Sequence, residues 1–88
     1  MKLKSGFIIS ELGDDALLVP VGGSVGAFHG FVRLNDTAAF IVKRLERDTS
    51  AEEITEAVLA EYDVEPSAAR AHVEAALEKL QALHALER

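Results

Sequence analysis

The sequence predicts an α+β domain, a three-stranded antiparallel sheet followed by three helices (βββααα). Three observations carry that prediction. Short apolar runs at Phe7–Leu12, Ala16–Val21 and Phe31–Leu34 are separated by clusters of turn formers, the pattern of strands. From Asp36 onward the apolar residues recur at helical spacing. Helix-start signals, Asn35, Ser50 and Pro66, precede the three periodic stretches. The 88 residues read as one domain spanning 1–88.

The first two strands form a candidate hairpin across Gly13-Asp14-Asp15. Pro20 lacks an amide donor, so it belongs near a strand end or on a side that makes no ladder bond. Gly22-Gly23-Ser24-Val25-Gly26 is a flexible connection. It is not a phosphate loop, because no Gly-Lys-Ser/Thr follows and no helix starts there. The third strand runs directly into a helix capped by Asn35.

That first helix is expected over about Asp36–Arg47, with Ala38, Ile41, Val42 and Leu45 on one face. Lys43, Arg44 and Arg47 lie in its last turns, either complementing the helix dipole or forming an anion-binding patch. Interspersed Glu46 and Asp48 favour the former. Ser50 and Glu53 have the spacing of a capping box for the second helix. Its buried face is Ile54, Ala57, Val58 and Tyr62. Pro66 suits the first position of the third and longest helix, expected to reach about Leu83. Ala69, Val73, Ala76, Leu77, Leu80 and Leu83 form its apolar stripe. His84 stands where a helix C-terminal residue adopts a left-handed conformation.

Composition narrows the function. A hydrophobic content of 49% supports a core and argues against disorder. With no cysteine there is neither a disulfide framework nor thiolate chemistry. A net charge of -6 repels nucleic acid and anionic membranes. No apolar run approaches a signal-peptide core or a membrane span, so a cytoplasmic protein is expected.

No catalytic set emerges. His29, His72 and His84 share no metal-ligand spacing. The serines lack a nucleophile-elbow context. Asp14-Asp15 and Glu52-Glu53 are explained by turn formation and helix N-terminal charge. The chain therefore reads as a binding protein, not an enzyme. Three helices with a hairpin are winged-helix-like, an arrangement that often reads DNA. The second helix, however, has Glu52, Glu53, Glu56 and Glu61 with no Lys or Arg. The third sets Arg70 and Lys79 against Glu74 and Glu78. Neither neutralises phosphates. A structural subunit of an enzyme complex is a further alternative. Addition of a peptide strand to an open sheet edge requires no particular net charge.

The run Phe28-His29-Gly30-Phe31-Val32-Arg33-Leu34-Asn35-Asp36-Thr37-Ala38-Ala39-Phe40-Ile41 resembles the strand-to-helix junction of PqqD-like proteins, with Leu34-Asn35-Asp36-Thr37-Ala38 matching their Leu-Asn-x-Thr/Ser-Ala/Gly pattern. Thr49–Ile54, Glu61–Val64 and Ala69–Leu80 continue the likeness, so it covers essentially the whole chain. The resemblance implies a stand-alone RiPP precursor peptide recognition element. Such a domain binds the leader of a ribosomally made peptide and presents it to a modifying enzyme, often a radical SAM enzyme, with no cofactor of its own. It implies a pairing edge at Gly30, Phe31, Val32, Arg33 and Leu34. The helical wall of the cleft would be drawn from Arg70, Val73, Ala76, Leu77 and Leu80; for Val73, Leu77 and Leu80 a core role is an equal alternative. An open edge also permits a homodimer by self-pairing or strand exchange. Family members often carry Gly near the position of His84, so the third helix is expected to end differently here or to continue toward Leu86.

Overall fold

The computed structural model describes residues 1–21 and 31–87; the glycine-rich connection over 22–26, His29 and Gly30 lie outside the described residues. After a two-residue strand β1 (Lys2–Leu3), the chain forms the hairpin β2 (Phe7–Leu12) and β3 (Asp15–Pro20). The loop is shorter than the three residues expected. Gly13, at φ 63°, and Asp14 make it alone, with Leu12 directly opposite Asp15. A positive φ at the first central position only is the type II′ geometry, which Gly adopts without a steric cost. Asp15 is thereby released into the strand.

The third strand, β4 (Val32–Leu34), pairs antiparallel with β3, giving the order β2-β3-β4. Ladder parity follows from the turn. The residues flanking a two-residue loop exchange hydrogen bonds, and bonding alternates from there. Asp15, Leu17 and Val19 therefore bond to β2. The Val21 amide continues that series by donating to the Gly6 carbonyl at 2.8 Å. Pro20, the last residue of β3, falls in the other phase, so its missing amide costs the β2 ladder nothing. Ala16 and Leu18 direct their backbone groups to β4.

Three helices follow, as expected: α1 (Asp36–Arg44), α2 (Ala51–Glu61) and α3 (Pro66–Ala82). Asn35 Oδ1 accepts from the Ala38 amide at 2.8 Å and caps α1. This helix stops three residues short of Arg47. The Leu45 and Glu46 amides bond to the Val42 and Lys43 carbonyls at 3.0 and 3.2 Å, tightening the last turn. The Leu45 carbonyl is instead taken by the Leu3 amide at 2.8 Å. At α2 the Ser50 hydroxyl accepts from the Glu53 amide at 3.1 Å; the hydroxyl also lies 3.3 Å from the Glu53 carboxylate. Pro66 opens α3.

Helix α3 does not continue to Leu86. The His84 amide donates to the Gln81 carbonyl at 3.0 Å and the Ala85 amide to the Leu80 carbonyl at 2.9 Å. His84 itself takes φ 57°, the left-handed place that Gly usually fills. The reversal leads into β5 (Leu86–Glu87), which pairs with β1 in a second, two-stranded sheet. A core formed by Phe7, Leu18, Ile41, Val42, Leu45, Ile54, Val58, Ala69, Val73 and Leu80 joins the three-stranded sheet to all three helices, and Leu3 and Leu86 extend it to the small sheet.

Candidate functional site

Strand β4 is the outer strand of its sheet. Val32 lies opposite Leu18 and Leu34 opposite Ala16, so ladder parity turns the amides and carbonyls of Val32 and Leu34 toward β3. Those of Arg33 point outward, to an edge that no strand covers among the described residues. The Val32 and Leu34 side chains are half-buried against the core, whereas Arg33 is exposed and lies 3.4 Å from the Asp15 carboxylate. The edge thus offers one donor and one acceptor at Arg33, flanked by two apolar side chains that face the helices.

Those side chains form one wall of a groove of about 110 Å³ whose other wall is the second half of α3. Leu18, Val42 and Leu80, all essentially buried, make its floor. Ala76 and Leu83 line the α3 side, and Lys79 stands on the rim. A second hollow of about 270 Å³ continues from it between the start of α1 and the middle of α3, adding Thr37, Ile41, His72 and Ala75. Asn35, Ala38, Ala76 and Lys79 belong to both, which makes the two hollows one trough beside β4. The trough can take apolar side chains from an extended chain lying along Arg33.

A hollow of about 360 Å³ on another face of α1 lies under the hairpin tip. Its two cations are already engaged. Lys43 pairs with Glu11, and Arg44 lies 4.7 Å above the ring of Phe40, which meets Tyr62 edge-on. Among the described residues no group of three or more His, Asp or Glu could hold a metal ion, and no helix is long and apolar enough to cross a membrane.

Of the residues expected at the site, Val32, Arg33, Leu34, Ala76 and Leu80 line the groove. Phe31 is exposed immediately before β4. Val73 is fully buried in the core, and Leu77 is half-buried against it. Arg70 pairs with Glu74 at 3.0 Å on the surface and lines neither hollow. Sequence reasoning did not single out His72, Ala75, Lys79 and Leu83 as a wall. The available signal was a second stripe on α3. Residues 72, 76, 79 and 83 recur at helical spacing one step round from the core stripe 69, 73 and 80.

A family model described as Coenzyme PQQ synthesis protein D (PqqD) matches residues 16–86, a span that runs from β3 through β5 and includes the whole trough. The chain belongs to the PqqD family. Two solved structures share the fold of this PqqD-family chain. One, "TbiB1 in Complex with the TbiA(beta) Leader Peptide", superposes with a TM-score of 0.79 at 23% identity, covering 99% of this chain and 95% of that one. The other, "Lasso peptide synthetase B1 complexed with the leader peptide", has a TM-score of 0.73 at 27% identity, covering 92% and 89%. No curated protein sequence matches.

Proposed function

We propose that this PqqD-family chain binds the leader of a ribosomally synthesised precursor peptide as an added strand on β4 and presents the peptide to a modifying enzyme. The observation that carries the reading is the juxtaposition of an outward-facing Arg33 backbone with an apolar trough between β4 and α3. The edge supplies main-chain hydrogen bonds, and the trough selects side chains. Both solved relatives described above are leader-peptide complexes, which supports the same occupant here. The peptide residue paired with Arg33 projects to the face away from the helices. Its two neighbours project into the trough, because strand side chains alternate.

The chain contributes affinity and tethering, while the covalent chemistry belongs to the enzyme. Holding the leader raises the local concentration of the attached core to the millimolar range expected for short flexible linkers. A radical SAM enzyme is one partner the family resemblance suggests, and neither the edge nor the trough is specific to that chemistry. The direct test is calorimetric titration with peptides tiled across a precursor encoded beside this gene, with duplex DNA as the comparison. Saturable binding to a leader tile and none to DNA supports the reading. Binding to no tile, or DNA binding with steep salt dependence, overturns it.

A further inference from the structure

The trough differs in charge from the rest of the molecule. The chain has fifteen acidic and nine basic side chains, yet no Asp or Glu lines either hollow. Lys79 stands on the rim common to both. Four other cations are already occupied: Arg33 by Asp15, Lys43 by Glu11, Arg70 by Glu74 and Arg44 by the Phe40 ring. Lys79 has no ion-pair partner among the described residues. A lysine there can lay its methylene stem along Ala76 and Leu83 and keep its ammonium at the mouth of the groove.

We propose that the bound peptide carries an Asp or Glu whose carboxylate pairs with Lys79, set at even spacing from the apolar residue lodged between β4 and α3. The inference rests on the leader-binding reading and adds a selectivity element to it. Arg33 does not supply this charge. Its side chain shares the sheet face of Leu17, away from the helices, and only its backbone borders the groove. Apolar contact alone would admit any hydrophobic strand. In a molecule with a net charge of -6, an acidic peptide is repelled overall, so a local cation is what makes an acidic position distinguishable.

The test uses fluorescence anisotropy with labelled tiles of the neighbouring precursor, at about 0.05 and 0.5 M salt, where the screening length falls from more than about 10 Å to a few ångström. Lys79→Gln should weaken the bound tile about threefold and Lys79→Glu about tenfold at low salt, with both losses shrinking at high salt. Arg47→Gln, which makes the same change in net charge away from the trough, should leave affinity as it was. A tile with its Asp or Glu changed to Lys should bind Lys79→Glu better than it binds wild type. Unchanged binding to Lys79→Glu, or loss equal to that of Arg47→Gln, overturns the carboxylate contact while leaving leader binding intact. Failure of wild type to bind any tile overturns both.

Discussion

Replacing Arg33 by proline separates the edge of β4 from its ladder. The Arg33 amide points away from β3, so Arg33→Pro removes a donor from the edge and leaves the pairs Val32–Leu18 and Leu34–Ala16 in place. Proline is tolerated on edge strands in that orientation. The lost Arg33–Asp15 contact joins two side chains 73% and 54% exposed at 3.4 Å, so it contributes under about 1 kcal/mol. Stability should fall by about 1 kcal/mol or less, a Tm shift of about 4–8 °C at most for a domain this size. Peptide binding should suffer more. One hydrogen bond to the peptide is worth about 0.5–1.5 kcal/mol. The ring also occupies space that a strand at the usual spacing of about 4.8 Å would enter. The expected loss is at least about tenfold in Kd, or 1.4 kcal/mol. Arg33→Ala, which keeps the amide, should bind nearly as wild type. Val32→Pro is the contrasting case: it deletes an amide bonded to β3 beside buried Leu18 and should destabilise the fold by about 1–3 kcal/mol. Urea melts followed by circular dichroism measure the stabilities, and calorimetry with the precursor tile measures affinity. A folded Arg33→Pro that binds as wild type would sink the strand-addition argument.

Ala76 lies where the two hollows meet, so Ala76→Phe should fill the groove, abolish measurable tile binding by calorimetry and leave the circular dichroism spectrum unchanged. His84→Gly relieves the φ of 57° and should stabilise the protein by about 1 kcal/mol in urea melts without altering peptide affinity. Asp48 carries a pH signature. The hydrogen bond and charge of the Met1 ammonium, 2.6 Å away, hold its carboxyl below the usual 3.8. A depressed folded value means that the contribution is fully present above the unfolded value and is lost as pH falls through the folded one. The stability difference between wild type and Asp48→Asn should therefore stay constant between about pH 5 and 7, where the partner amine is an ammonium, and disappear under more acidic conditions, as read by melts across that range.

The order β2-β3-β4-α1-α2-α3 was legible because each of these elements leaves a local mark. Asn35 and Ser50 cap α1 and α2, and Pro66 opens α3, all as their residue types dictate. What escaped sequence reading depends on contacts distant in the chain. A two-residue strand has no period, so the pairing of Leu3 with Leu86 left no trace. The early end of α1 is set by Leu3 taking the Leu45 carbonyl, which no local propensity encodes. In the trough, the local pattern showed only that β4 is a strand running into the Asn35 cap; its place at the site came from the family resemblance of residues 28–41. Helix α3 was harder, because its groove stripe, His72, Ala76, Lys79 and Leu83, mixes polar with apolar residues and shares Ala76 and Leu83 with the apolar run, so only packing decides which of these is buried. Val73 went to the core and Leu83 to the groove. The direction of the Arg33 amide required the register, which rests on the exact length of the Gly13-Asp14 loop.

Strand β4 spans only Val32–Leu34 before Asn35 diverts the chain into α1. Within it Arg33 alone turns its backbone outward. Over β4 a passing hydrophobic segment gains about one residue's worth of main-chain bonding, so this stretch is by itself a poor template for indiscriminate pairing. The same brevity guards against aggregation and makes main-chain bonding too weak to retain a ligand that lacks suitable side chains. Discrimination is then a by-product of a helix cap, which limits how much any chain can gain without being the right one.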